Sequence, residues 1–161
     1  MALESYLDFA ENDYKFIKDA YDRGAVGNAM GALCQNTCEK YMKHLIQEFC
    51  EPENHMEASK KETALKSHNL LRLMNFIKEN FQMEFSEEAQ TAMREIDGYY
   101  FSTRYPGDNS VELSIKDITR CVNAVSFCRQ GVFELLAYIQ TREQTESAET
   151  SQESNERYSL T

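Results

Sequence analysis

Apolar residues recur at Leu3, Leu7, Ala10, Tyr14, Ile17 and Tyr21, in alternating steps of four and three, which predicts an amphipathic helix with one buried seam. Glu4, Glu11, Lys15, Lys18 and Asp22 fill its other face, and Gly24 supplies a stop. A second helix is predicted from about Ala25 to Phe49, with Met30, Cys34, Cys38, Tyr41, Leu45 and Phe49 on one stripe that Val26, Leu33 and Ile46 widen. Its first half is small (Ala25, Gly27, Asn28, Ala29, Gly31, Ala32), which predicts a close helix crossing or an interface with a second subunit. From Glu51 to about Lys66 the periodicity fails and charge dominates, so a mobile connector is expected over residues 51–66. Ser67 is then read as the cap of a third helix with the seam Leu70, Met74, Ile77 and Phe81. A fourth follows Ser86 and repeats Ala89, Met93, Ile96 and Tyr100, with Glu87 and Glu88 at its positive end.

Pro106 and Gly107 occupy the central positions of an expected type II turn over Tyr105–Asp108. The last helix is capped by Ser114 with Asp117 three residues on, and its seam runs Ile115, Ile118, Val122, Val125, Val132, Leu136, Ile139. The position skipped between Val125 and Val132 is Arg129, which must be paired if buried, or else marks a seam opening onto a dimer cleft. After Thr141 the chain is polar and acidic as far as Tyr158, so residues 142–161 are expected to be a disordered tail. The fold class is therefore all-α, an up-and-down antiparallel bundle of four or five helices over residues 1–141.

Composition narrows the function classes. With 161 residues and 42% hydrophobic content the chain suits one domain, and only 2 prolines and 6 glycines argue against a sandwich or barrel. The formal charge is −10, of which −7 belongs to residues 1–141. That excludes bulk coating of nucleic acid or of anionic membranes, which rests on neutralising phosphates. No apolar run approaches the roughly 20 residues that span a bilayer, so no membrane association is expected. The first ten residues hold Glu4 and Asp8 where a secretion signal needs basic and apolar stretches, and five cysteines are an odd number. Both point to reduced thiols in a cytoplasm.

Cys34 and Cys38 lie four apart on a predicted helix, but on its apolar stripe, so core packing is preferred over a metal site. Cys121 and Cys128 read the same way, and neither metal nor cofactor is expected. The glycines from Gly24 to Gly31 match no phosphate-loop spacing. More distinctive is Asp97 to Asp108 (DGYYFSTRYPGD), which holds Arg104 beside three tyrosines and a Pro-Gly turn. A fixed guanidinium among aromatic faces is a means of gripping phosphate and stacking bases, though spacing alone favours an aromatic helix end with the arginine bridging to an acid such as Glu39.

Taken together, Cys34–Lys43 (CQNTCEKYMK), His68–Leu73 (HNLLRL) and Tyr99–Asp108 with its Thr-Arg-Tyr-Pro core resemble, in order and separation, the HEPN domain, the higher eukaryotes and prokaryotes nucleotide-binding domain. The resemblance covers residues 1 to about 140. It implies a four- or five-helix bundle, pairing into homodimers, and two functional branches. One comprises metal-independent ribonucleases of toxin, abortive-infection and CRISPR systems that carry Arg, four to six residues, then His. The other comprises nucleotide- or protein-binding modules, often encoded with a minimal nucleotidyltransferase.

The histidines here are His44, His55 and His68, and none follows an arginine at that spacing. Metal-free RNA cleavage needs a group near neutral pKa to move a proton at the ribose, so the last helix lacks the chemistry. The expectation is a non-catalytic homodimeric module that binds a nucleotide or a partner protein, a minimal nucleotidyltransferase among the candidates, in a toxin–antitoxin-like setting. The site residues proposed are Arg104 on the phosphate, Tyr105 or Tyr100 on the base, a basic rim of Lys40 and Lys43, and His68 from the third-helix motif. Two alternatives stand: a toxin-type ribonuclease whose catalytic histidine is displaced, for instance His68 near Arg104 or Arg120, and a purely structural or regulatory interaction protein.

Overall fold

A computed structural model describes residues 2–159, all of whose regular structure is helical. The segments are α1 (Tyr6–Asp22), α2 (Asn28–Phe49), α3 (His55–Leu65), α4 (Leu70–Phe81), α5 (Glu87–Ile96), the single turn α6 (Tyr99–Ser102) and α7 (Ile115–Ser159). Five of them are the amphipathic helices that the apolar spacing predicts. Helix α2 is central and packs on α1, α4, α6 and α7, while α5 closes against α7. Its full burial on several sides explains why its stripe is wider than that of any other helix. No helix among the described residues is long and apolar enough to cross a membrane.

Capping follows the sequence at most ends. Ser5 and Asp8 form a reciprocal capping box on α1, Ser86 Oγ accepts from Ala89 N on α5, and Ser114 and Asp117 bond reciprocally at the start of α7. At α4 the cap is Asn69, whose Oδ1 accepts from Arg72 N, and not Ser67, two residues earlier, whose hydroxyl instead accepts from Asn69 N.

Four other expectations are corrected. The connector over residues 51–66 contains α3, started by Asn54 and Glu57 and buried only at Ala64, so it offered no apolar seam to read. Lys61 Nζ donates to the carbonyls of Gln47 and Cys50, satisfying the end of α2 with a side chain from α3. Tyr100 is not on the fourth helix: α5 ends at Ile96, Gly98 takes φ +96°, and Tyr100 belongs to α6. The turn with a closing hydrogen bond is Gly107–Ser110, two residues beyond the expected Tyr105–Asp108, because Gly107 adopts φ +151° rather than the type II value. Finally, α7 continues as helix to Ser159, since nothing after Thr141 breaks it. Every described residue from 142 on is exposed, as a segment without apolar content must be, and Leu160 and Thr161 lie outside the described residues.

The core seam of α7 accommodates Arg129 by pairing it. Its Nε and Nη2 donate to Glu11 Oε1 and Oε2 of α1 at 2.7 and 3.1 Å, and the Tyr41 hydroxyl of α2 donates to the same Oε1 at 2.6 Å. The guanidinium carbon lies 4.8 Å from the ring centres of both Tyr14 and Phe133. One bidentate pair thus ties three helices, and Arg129 faces Glu11 rather than an open cleft. Nearby, Cys34 packs beside Cys121 and Cys38 beside Cys128 across the α2–α7 interface, all four fully buried, with burial and the facing thiol pushing the Cys34 and Cys38 pKa values up. These are core thiols, as their place on the stripes implies.

The Arg129 guanidinium and Tyr41 hydroxyl hold the Glu11 carboxyl below its usual range despite the desolvation that opposes them. The stability this pair contributes is therefore present above the ordinary carboxyl pKa and lost as pH falls below it. A double-mutant cycle of Glu11→Ala and Arg129→Ala should give a coupling of about 1–2 kcal/mol at pH 7, moderated by the partial exposure of both groups, and a smaller one at pH 3. Urea unfolding at the two pH values checks it. Ending the chain after Thr141 should change that unfolding free energy by less than about 0.5 kcal/mol, as none of the described residues it removes is buried.

Candidate functional site

Two polar residues sit one turn apart on the face of α2 that meets α4 and α6. Gln35 is fully buried, and both ends of its amide are used: Nε2 donates to the His68 carbonyl at 2.7 Å and Oε1 accepts from Tyr100 N at 2.7 Å. Glu39, equally buried, brings its carboxyl oxygens 3.1 and 3.4 Å from His68 Nδ1. Desolvation pushes Glu39 up to about 7, with Asp97 adding to the rise and Lys43 and Lys40 opposing it. His68 is moved down, first by burial and then by Lys43 and Arg104. With the acid raised and the base lowered, the two groups share one proton around neutrality rather than forming a full ion pair.

The segments carrying His68 and Tyr100 are held from a second side. Asp97 Oδ1 and Oδ2 accept from the backbone N–H groups of Leu70 and Leu71 at 3.0 and 3.2 Å, fastening the end of α5 to the first turn of α4. The left-handed Gly98 then reverses the chain so that α6 presents Tyr100 to His68. Their rings stack with centres 4.0 Å apart and planes 7° from parallel. The Arg104 guanidinium carbon lies over the same Tyr100 ring at 4.5 Å and 5.5 Å from the Tyr105 ring centre. Two groups that close to one ring centre occupy its opposite faces, so Tyr100 is sandwiched between imidazole and guanidinium. Phe101 packs edge-on against His68 and Tyr100.

The loop after Arg104 is pinned to the start of α2. Asn28 Nδ2 donates to the Thr103 and Val111 carbonyls, and its Oδ1 accepts from Leu113 N. A Cβ on Gly31 would stand 2.2 Å from Leu113 Cδ1, so the small residues at the start of α2 seat this loop. The close approach that they predict is made by the loop rather than by a helix.

Of the residues singled out from sequence, His68, Tyr100, Arg104 and Tyr105 come together. Lys43 lies beside them, only 7% exposed, and its pKa is lowered by that burial. Lys40 does not join the rim, because its ammonium pairs with Asp13 of α1, beside the Phe9 ring. Glu39, expected to bridge to Arg104 or a tyrosine hydroxyl, has His68 as its partner, since Tyr100 stands between it and the arginine. Sequence reasoning missed Gln35, Asp97 and Asn28. A glutamine flanked by two stripe residues, Cys34 and Cys38, is a polar group placed to be buried, and that was the available signal.

The three sequence motifs thus meet at one place: Gln35 and Glu39 from the first, His68 from the second, Tyr100 and Arg104 from the third. The family model described as HEPN domain matches residues 3–132. The chain belongs to the HEPN domain family. No curated protein and no solved structure matches it. This HEPN domain keeps the all-helical fold and departs from the ribonuclease pattern, since none of its arginines is followed by a histidine at the required spacing. HEPN membership itself supports a nucleotide-related or ribonuclease-type module.

The raised Glu39 gives a pH signature. Below its ordinary value of 4.5 the carboxyl is protonated whether the chain is folded or not; between 4.5 and about 7 the folded state holds a proton that the unfolded chain has released, so stability falls as pH rises. Glu39→Gln is free of that penalty and keeps a polar group facing His68 Nδ1. Its stability relative to the parent should rise through this window, by about 3 kcal/mol in total, and level off above it. Urea unfolding of both proteins across the window measures this, and parallel stability curves would refute the burial account of Glu39.

Proposed function

We propose that this HEPN domain is a non-catalytic module that binds a phosphate-bearing nucleotide and acts as a homodimer in a reduced cytoplasm. The observation that carries the reading is Arg104. Among the described residues its guanidinium has no acidic partner; it is fixed instead over two tyrosine rings, with its N–H donors directed to no carboxylate. A cation positioned by π faces and left without a counter-ion suits an anionic ligand. Tyr105, 53% exposed, offers a face to a base, whereas both faces of Tyr100 are taken by His68 and Arg104. Base stacking is thereby assigned to Tyr105 and phosphate to Arg104.

The same stack speaks against the displaced-histidine ribonuclease, because the Tyr100 ring separates the imidazole from the arginine that would have to act with it. Support for a second copy comes from an apolar cleft between α1 and α2, bordered by Phe16 and Val26, which are 62% and 48% exposed, and by Ala29 and Leu33. A protein partner such as a minimal nucleotidyltransferase is the second reading, favoured by the exposed arm of α7 beyond Thr141.

Calorimetry against nucleoside mono-, di- and triphosphates is expected to show binding that Arg104→Ala weakens by about tenfold or more. Absence of binding at millimolar ligand, or binding indifferent to Arg104→Ala, refutes the nucleotide reading. Cleavage of single-stranded RNA by the parent protein that is lost in His68→Ala would restore the ribonuclease in its place.

A further inference from the structure

The three histidines are held in different ways. His55 stands exposed at the start of α3, and its ring makes no hydrogen bond among the described residues. His44 turns Nδ1 into the protein without a partner. His68 is fixed on three sides: Gln35 Nε2 holds its backbone carbonyl at 2.7 Å, Tyr100 covers one face of the ring with planes 7° from parallel, and Phe101 meets it edge-on. The ring then presents Nδ1 to the Glu39 carboxyl at 3.1 and 3.4 Å. Glu39 is fully buried, and its carboxyl has no other hydrogen-bond partner among the described residues.

An ionised carboxylate can only accept, so whenever Glu39 is charged and the imidazole neutral, the ring proton sits on Nδ1 and the lone pair on Nε2. That lone pair is open to solvent. Among the described residues the buried side-chain atom without a partner is His44 Nδ1, so Nε2 of His68, which makes no hydrogen bond, is not sealed in. The His68 side chain as a whole is 38% exposed. Arg104 does not cover it, since the Tyr100 ring lies between the guanidinium and the imidazole.

We infer that His68 is a phosphoryl-acceptor histidine, modified on Nε2 by small donors of the acyl phosphate and phosphoramidate class, with Glu39 as its positioning residue and proton acceptor. The Nε2 lone pair forms the N–P bond while the bond from phosphorus to the leaving group breaks, its electron pair departing with that group. The Nδ1 proton passes to the Glu39 carboxylate, so the ring ends as a neutral phosphoimidazole rather than a cation. A free imidazole has neither the fixed tautomer nor the adjacent base. This goes beyond the nucleotide reading and does not depend on it, because no part of the step involves Arg104 or Tyr105.

The competent state is the pair that has lost its shared proton. The charged groups felt there are Lys43 and Lys40 of α2, the latter paired with Asp13 of α1, Asp97 at the end of α5 and Arg104 beyond α6. Lys43 and Arg104 favour the neutral imidazole, while burial and Asp97 keep the Glu39 proton in place up to about 7. Reactivity of His68 therefore rises as pH passes upward through neutrality.

Incubating the full chain with phosphoramidate, and mapping the adducts by mass spectrometry without acid, compares the histidines within one molecule. At pH 8 His68 should be modified about tenfold faster than His55 or more, on Nε2 by phosphorus NMR, and its modification should slow toward pH 6. Glu39→Gln keeps a polar group facing Nδ1 but cannot take up the proton, so it should remove most of the advantage of His68 and leave His55 unchanged. Equal rates at His68 and His55, an adduct on Nδ1, or a His68 rate untouched by Glu39→Gln overturns the inference. The comparison with His55 is internal to the parent chain, so it decides without any variant.

Discussion

The arrangement depends on one buried amide. Gln35 is the only contact through which α2 holds both the backbone just before α4 and the first turn of α6 by hydrogen bonds among the described residues. Burying a side-chain amide is unfavourable unless its donors and acceptors are used, and here one N–H and the carbonyl oxygen each have a partner at 2.7 Å. That requirement works in both directions. The amide fixes His68 and Tyr100 relative to each other, and the two half-buried backbone groups find their protein partner in that amide. An apolar residue of similar size at position 35 would leave a carbonyl and an N–H stranded, which is why the site cannot be treated as a decoration on an independent bundle.

Glu39 extends this logic one helical turn along. Gln35 sets where the His68 backbone is, and Glu39 sets how the ring is turned, so the face that stacks on Tyr100 follows from two neighbouring side chains of a single rigid helix. Tyr100 in turn offers its other face to Arg104, and Asn28 anchors the loop that leads away from it. Each step is short and built on regular structure, with the flexible part, the exposed Tyr105, coming last. Preorganisation of this kind lowers the ordering cost that a ligand has to meet.

How much of this was legible in the sequence differs by element. Helices α1, α4, α5 and α7 bury one seam each, and a single period of 3.6 residues announces that. Helix α3 escaped because it buries only Ala64 and is held instead by its Asn54 cap and by Lys61 reaching the carbonyls at the end of α2. No hydrophobic periodicity records a helix stabilised by capping. The arm beyond Thr141 differs from expectation for the complementary reason: it has no core-facing side to register as periodicity, yet helical propensity and continuity with a packed helix suffice to extend it. Of the site, Arg104, Tyr100, Tyr105 and His68 were found through the family's motifs. Their mutual arrangement was not, because stacking order across a ring depends on contacts between residues 32 positions apart in the chain, such as His68 and Tyr100, which local pattern does not encode. The partner of Glu39 was missed on the same ground.

The net charge of −10 and the local character of the site are consistent once burial is considered. Most of the acidic side chains lie in solvent, where screening confines their influence to roughly a Debye length. The exposed arm of α7 carries five of the glutamates. At the site the acids are accounted for individually: Asp97 is bonded to two backbone N–H groups of α4, Glu39 is held near its protonated form by burial, and Asp13 neutralises Lys40. What is left uncompensated there is positive, Arg104 on the outside and Lys43 within. An acidic protein that repels polyanions at a distance can still accept a small phosphate at such a point, because the long-range field is screened and the contact is not. A long polyanion, by contrast, would have to lie along the acidic surface as well as at that point.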